Sequence, residues 1–360
     1  MASISTTIKR TLLMARRRAI AAAFGLVVAV GLTVAGAQVR GIACETPPKD
    51  QFSVVRTGDD FYQNDDWLGS WHKPDQHEYF KKYHRKELYA NVVYHTDEFG
   101  RRRTVQGRDD WRRFAMFAPC SFSFGDGVND DETLPSQFAE QVAGEKIAVY
   151  NYGVNAWGPN NLLALMTDPR FPAGIPEKQG FVIYSFVGDH IERVIGRRSF
   201  LTLNRKLSIP HYVEARDGTL RRTGLVNAAR PAHDTIWDIV ADRLGLIGTL
   251  FDDWPLGLTQ SMRQLTARLI AASQAEFAKR FDAQGFFVLF YPGESTLKPM
   301  ETALARNGVR WLDYSEAFPY DRETDNVYFQ PDGHPTALAY RVIAEKLAAD
   351  LRELGVLAKK

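Results

Sequence analysis

Between residues 113 and 313, short apolar runs alternate with longer stretches whose apolar positions recur at helical spacing. The runs are 114–118, 147–151, 181–187, 286–291 and 309–313, each of the length and continuity of a buried strand. Helical patterns lie between them, including 134–143 and 259–281, where Met262, Leu265, Leu269 and Ala272 share one face. Strands separated by helices predict a parallel sheet with right-handed crossovers, an α/β domain. Upstream the pattern differs. Leu88, Ala90, Val92 and Tyr94 alternate as a half-buried strand, and Asp97-Glu98-Phe99-Gly100 reads as a turn, so a small β-rich accessory segment is expected over 45–112. Asp66-Trp67-Leu68-Gly69 and Trp71-His72-Lys73-Pro74 read as loop anchors, and the three arginines after Gly100 as a solvated edge. Residues 196–258 interrupt the rhythm with a hairpin at Asp217-Gly218 and a helix around 234–244; this insertion is expected to wall the substrate or cover it.

The first 44 residues follow another rule. Residues 19–39 are almost wholly apolar and follow Arg16-Arg17-Arg18, while Ala35-Gly36-Ala37 offers a small-residue cleavage site. The run is about the ~20 residues that span a bilayer, so it reads either as a cleaved export signal or as an N-terminal membrane anchor. Both readings export the globular part to an extracytoplasmic or periplasmic space. The expected organisation is therefore a signal or anchor with its stem over 1–44, the accessory segment over 45–112, and one large domain over 113–355 carrying the insertion.

Composition removes several classes. With 45% apolar and 24% charged residues the chain is globular rather than disordered. Lys9, Arg10, Arg16, Arg17 and Arg18 precede any acid, so the net charge of +2 is concentrated in the leader, and no basic patch points to nucleic acid. Cys44 and Cys120 are the two cysteines; Cys120 reads as a small buried hydrophobe.

Candidate chemistry begins where the first apolar run stops. Pro119 and Cys120 end it, Ser121 stands at the turn, Gly125 and Gly127 supply a loop, and Pro135 suits the first turn of a helix. A serine at the C-terminal end of a buried strand lies where open α/β sheets place their ligands. Far downstream, Asp332-Gly333-His334-Pro335 precedes another helical pattern. A serine hydroxyl needs a base, which His334 can be, and Asp332 can orient the imidazole; the same Asp and His could instead cap the last helix.

Residues 117–135 resemble the first block of the SGNH (GDSL-type) hydrolase superfamily, with Pro119-Cys120-Ser121 where Gly-Asp-Ser is usual. Asn151-Tyr152-Gly153 resembles the second block, residues 181–190 the third, and residues 332–334 the last, with Asp-x-His in place of the commoner Asp-x-x-His. The resemblance implies a flavodoxin-like three-layer α/β/α fold of about five parallel strands. It also implies an oxyanion hole from the N–H groups of Ser121 and Gly153. A third donor is an Asn side chain in the family; Asp189 stands there, and since an ionised Asp cannot donate, either Asp189 is held protonated or His190 or Asn155 donates in its place.

These residues imply a serine esterase or O-acyltransferase that works through an acyl-Ser121 intermediate. Its expected substrate is an O-acyl, often O-acetyl, ester on a sugar, polysaccharide or lipid. No cofactor is called for. His190 has no second His or Cys at ligand spacing, and Asp126, Asp130, Asp131 and Glu132 lack the alternation of a calcium loop. The competing class is a non-catalytic envelope protein of the same fold that binds glycan or a partner.

Overall fold

A computed structural model describes residues 52–57, 61–106, 111–197, 200, 208–226, 258–292, 297–316, 327–329 and 332–358. The apolar run 19–39, Cys44, the expected helix 234–244 and most of the insertion lie outside the described residues. Among the described residues no helix is long and apolar enough to cross a membrane.

The accessory segment is richer in strand than its sequence pattern predicts. Strands β1 (Phe52–Arg56), β2 (Tyr62–Asp65), β3 (Gly69–His72), β4 (His77–His84) and β5 (Glu87–His95) form a β2–β3 pair and an antiparallel sheet ordered β1-β4-β5. On β5, Ala90, Val92 and Tyr94 face inward as expected, but Leu88 is 51% exposed. The register explains the departure: Lys82 pairs with Ala90 while Tyr83 pairs with Leu88, so Tyr89 is an extra, bulged residue. Trp71 and His72 sit within β3 rather than in a loop, both buried, and the Trp71 indole N–H donates to the Phe99 carbonyl at 2.8 Å.

The arginines after Gly100 are not all a solvated edge. Arg101 and Arg102 are buried, and Arg103 alone is largely exposed. Arg101 pairs with Asp97 and lies over the rings of Phe99, Tyr150 and Tyr152. A guanidinium tolerates such burial because ion pairs, carbonyls and aromatic faces replace its hydration.

The expected apolar runs all form strands. They are β6 (Arg113–Ala118), β7 (Ile147–Asn151) and β8 (Gln179–Phe186), followed beyond the hairpin β9 (Pro210–Glu214) and β10 (Leu220–Leu225) by β11 (Asp282–Phe290) and β12 (Arg310–Asp313). The hairpin falls where Asp217-Gly218 predicts it. The five-stranded sheet is parallel throughout, ordered β12-β11-β8-β6-β7. That order is flavodoxin-like.

Period-two alternation serves both faces. On β6, Phe114, Met116 and Ala118 enter one core while Ala115 and Phe117 enter the other. Among the described residues the α-helices are α1 (Ser121–Phe124), α2 (Leu134–Gln141), α3 (Pro159–Thr167), α4 (Asp189–Ile195), α5 (Gln260–Arg280), α6 (Leu297–Arg306) and α7 (Ala337–Glu353). Helices α3, α5 and α6 cover the first core with Leu162, Ile270 and Met300; α2 and α7 cover the second with Phe138, Ile343 and Leu347. Because β7 and β8 flank β6 on opposite sides, the strand order reverses at β6, and in open α/β sheets the ligand crevice lies at such a reversal, beyond the carboxyl ends of the strands.

Candidate active site

Ser121 stands at that reversal. Beyond Ala118, Pro119 and Cys120 carry the chain into the single-turn helix α1, which Gly125 closes in the left-handed region at φ +81°. Cys120 is fully buried and its thiol points at the Ser185 carbonyl, 3.6 Å away; burial pushes its pKa up, so it anchors the turn as a neutral thiol. Beneath α1, Ser123 Oγ donates to Ser185 Oγ at 2.9 Å, and Ser185 in turn shares a hydrogen bond with the Tyr291 hydroxyl. Ser121 is 6% exposed, and its N–H and hydroxyl make no hydrogen bond among the described residues.

Asp332 and His334 arrive on a tight turn. Tyr328 and Pro335 form a β-bridge, the Phe329 N–H donates to the His334 carbonyl at 2.9 Å, and the Gly333 N–H donates back to the Phe329 carbonyl at 2.8 Å. Within the turn, Asp332 Oδ1 accepts the His334 backbone N–H at 3.1 Å. The same oxygen lies 3.3 Å from His334 Nδ1, within ion-pair reach but angled short of a hydrogen bond. Burial pushes the Asp332 carboxyl up, and contact with His334 outweighs it, leaving the pKa below the usual carboxylate value. The imidazole packs on Phe122, the residue after Ser121, with ring centroids 5.4 Å apart. The turn therefore sets the Asp/His pair against α1.

The site contains residues that the sequence pattern did not mark. Asp126, five residues after Ser121, is buried and bonds the Lys82 ammonium through Oδ2, while its Oδ1 accepts the Tyr94 hydroxyl at 2.9 Å. Its own burial would raise its pKa, but the charges of Lys82 and His334 and these hydrogen bonds hold it well below the carboxylate range. One ligand atom each from Asp126, Asp332 and His334 lie within 4.8 Å of one another. A metal ion does not fit this set as it stands, because Lys82 already neutralises Asp126. Tyr89 donates to Asp332 Oδ2 at 2.9 Å. The available signal for Asp126 was its place in the loop after Ser121; nothing local marks Lys82 or Tyr89.

The expected oxyanion donors are scattered. Gly153 lies close to α1, since a Cβ there would stand 2.0 Å from the Phe124 nitrogen. Its N–H, however, donates to Asn151 Oδ1 at 2.8 Å, so its evident part is close backbone approach. His190 points into the core: it is fully buried, Tyr184 bonds its Nδ1 at 2.7 Å, and burial drives its pKa well down. Its Nε2 is buried and has no hydrogen-bond partner among the described residues. Asp189 lies at the start of α4 with its side chain 74% exposed, 3.9 Å from Arg193. Asn155 follows Gly153 on the loop after β7 and lies beside the buried Tyr62 hydroxyl, which Asp126 also faces. The Asn155 side chain hydrogen-bonds to that hydroxyl, and its Oδ1 has no partner among the described residues.

A cavity of about 470 Å³ lies elsewhere, along the β7 edge, lined by Arg101, Trp111, Tyr150 and Glu177 among others. None of Ser121, Asp332 or His334 borders it.

The sheet order β12-β11-β8-β6-β7 puts the end of β6, the loop after β7 and the end of β8 side by side. No family model matches the chain, and no curated protein matches it. Among solved structures it is similar to a lipase/acylhydrolase from Enterococcus faecalis, at 11% identity over 69% of this chain and 98% of that one, with a TM-score of 0.38. It is also similar to an acetyl xylan esterase from the rumen bacterium Butyrivibrio proteoclasticus (10% identity, 77% and 75% covered, TM-score 0.39). A third is an aryl esterase from M. smegmatis (13% identity, 67% and 99% covered, TM-score 0.34).

Proposed function

We propose that this protein is a serine-dependent ester hydrolase or O-acyltransferase that works through an acyl-Ser121 intermediate. The observation that carries the reading is the Asp332–His334 pair on its turn, packed on the residue next to a serine whose hydroxyl and N–H make no hydrogen bond among the described residues. In the first half-reaction His334 takes the Ser121 proton as Oγ attacks the acyl carbonyl. Asp332 holds the imidazole in the required tautomer and stabilises its charged form. The tetrahedral oxyanion receives the Ser121 N–H and the Asn155 amide, donors of a kind worth ~2.7–4 kcal/mol each. Collapse expels the alcohol, which takes the proton from His334. Water then restores Ser121 and releases the acid, or a second hydroxyl accepts the acyl group; His334 deprotonates either acceptor.

The substrate class is an O-acyl ester on a sugar, polysaccharide or lipid, met in an extracytoplasmic space to which residues 19–39 deliver or anchor the chain. The test is fluorophosphonate labelling of the full chain together with hydrolysis of short aryl esters. Wild-type protein is expected to label and turn over, and Ser121→Ala and His334→Ala to lose both activities by a factor of about 10³ or more. Folded wild-type protein that neither labels nor turns over would assign the chain to the non-catalytic, glycan-binding class.

A further inference from the structure

Two carboxylates face His334, and both are held from the N-terminal strands. Tyr89 of β5 donates to Asp332 Oδ2 at 2.9 Å; Lys82 of β4 and Tyr94 of β5 bind the two oxygens of Asp126. Tyr89 reaches Asp332 because it is the bulged residue of β5: Leu88 and Ala90 pair with consecutive residues of β4, and the residue between them leaves the ladder. Bulges re-aim side chains in this way beside functional sites.

A carboxylate on a turn is free to rotate about a broad terminal torsion. Asp332 is gripped from two sides, with the His334 N–H on Oδ1 and Tyr89 on Oδ2. Those two bonds fix the carboxylate plane, and with it the lone pairs presented to His334 Nδ1. Lys82 balances Asp126, so that two carboxylates within 4.8 Å can both stay ionised around one imidazole.

We infer that the N-terminal sheet is a working part of the site, with Tyr89 as a positioning residue that orients Asp332 toward His334. The inference rests on the hydrolase reading for its rate measurement and on the geometry alone for its spectroscopic one.

The experiment compares Tyr89→Phe, Asp332→Asn and the double variant in the full chain. Tyr89→Phe keeps the ring beside Phe329 and removes only the donor. The expected result is a fall in kcat of about 10- to 100-fold, the cost of a misplaced catalytic group, with KM changed less than about twofold. In the Asp332→Asn background the same change should cost nothing further. In parallel, the Cε1–H resonance of the His334 ring, assigned by its loss in His334→Ala, should shift or broaden in Tyr89→Phe. An unchanged kcat with an unchanged resonance, or full additivity with Asp332→Asn, overturns the inference. If the wild-type protein neither labels nor turns over, the hydrolase reading fails, and the resonance alone decides the positioning role: a changed signal supports it, and an unchanged or absent one overturns it.

Discussion

Arg102 shows how much one side chain can hold. Its Nη1 donates to the Phe124 and Gly125 carbonyls at 2.8 and 2.6 Å, its Nη2 to the Val128 carbonyl at 2.6 Å, and its Nε to Asp130 at 3.0 Å. The guanidinium also covers the rings of Tyr94 and Phe124. It therefore ties the end of α1, and so the Ser121 turn, to the accessory strands. Arg102→Lys retains the charge but not the fork. It should destabilise the fold by about 3–5 kcal/mol, the cost of breaking a buried charge network, read as a lower denaturant midpoint. Three consecutive arginines look alike in sequence, and only tertiary placement separates the two buried ones from Arg103. The same holds for the candidate site. That Asp332 and His334 meet beside α1 could be anticipated, because Ser121, Asp332 and His334 each sit at a turn with its own local signature. The donors could not, because donation depends on orientation: His190 lies on the right segment but turns inward.

At the scale of elements, the close approach of the loop after β7 to α1 carries a second prediction. Gly153→Ala would place a methyl 2.0 Å from the Phe124 backbone nitrogen. The loop or α1 must then move, at a cost of about 1–3 kcal/mol of overpacking. The expected outcome is a lower thermal midpoint together with a loss of fluorophosphonate labelling out of proportion to the fraction unfolded. The main-sheet strands were legible as elements because burial on both faces leaves them nearly continuous in apolar residues. Strand β4 was not. Its inward face reads Glu78, Phe80, Lys82, and inward charges erase the alternation on which strand recognition depends. Lys82 faces inward because it meets Asp126, so the feature that hid the strand belongs to the site.

For the whole molecule, buried titratable groups set the response to acid. Burial lowers the His72 pKa to about 3, among the rings of Phe61, Tyr62 and Phe124. An unfolded His titrates near ~6.5, so below that pH the unfolded chain takes a proton that the folded one refuses. Stability is thus fully present above about pH 6.5 and falls toward pH 3, by up to about 1.4 kcal/mol per unit from this residue. Asp126 and Asp332, held below the usual carboxylate value, add a second loss as pH drops beneath about 4. Denaturant midpoints measured from pH 7.5 to 4 should show a plateau and then a decline. His72→Leu should flatten the upper part of that decline even where it lowers stability at neutral pH.

The hydrogen bond from Tyr89 to Asp332 joins residues 243 positions apart in the chain. Synthesis runs from the N-terminus, so the strands carrying Tyr89, Lys82 and Tyr94 emerge well before the turn that carries Asp332. A chain released before residue 332 could assemble all five strands of the central sheet and still lack the Asp332–His334 turn. Competence for chemistry would then be a late event in the life of each molecule, separated in time from the appearance of its fold.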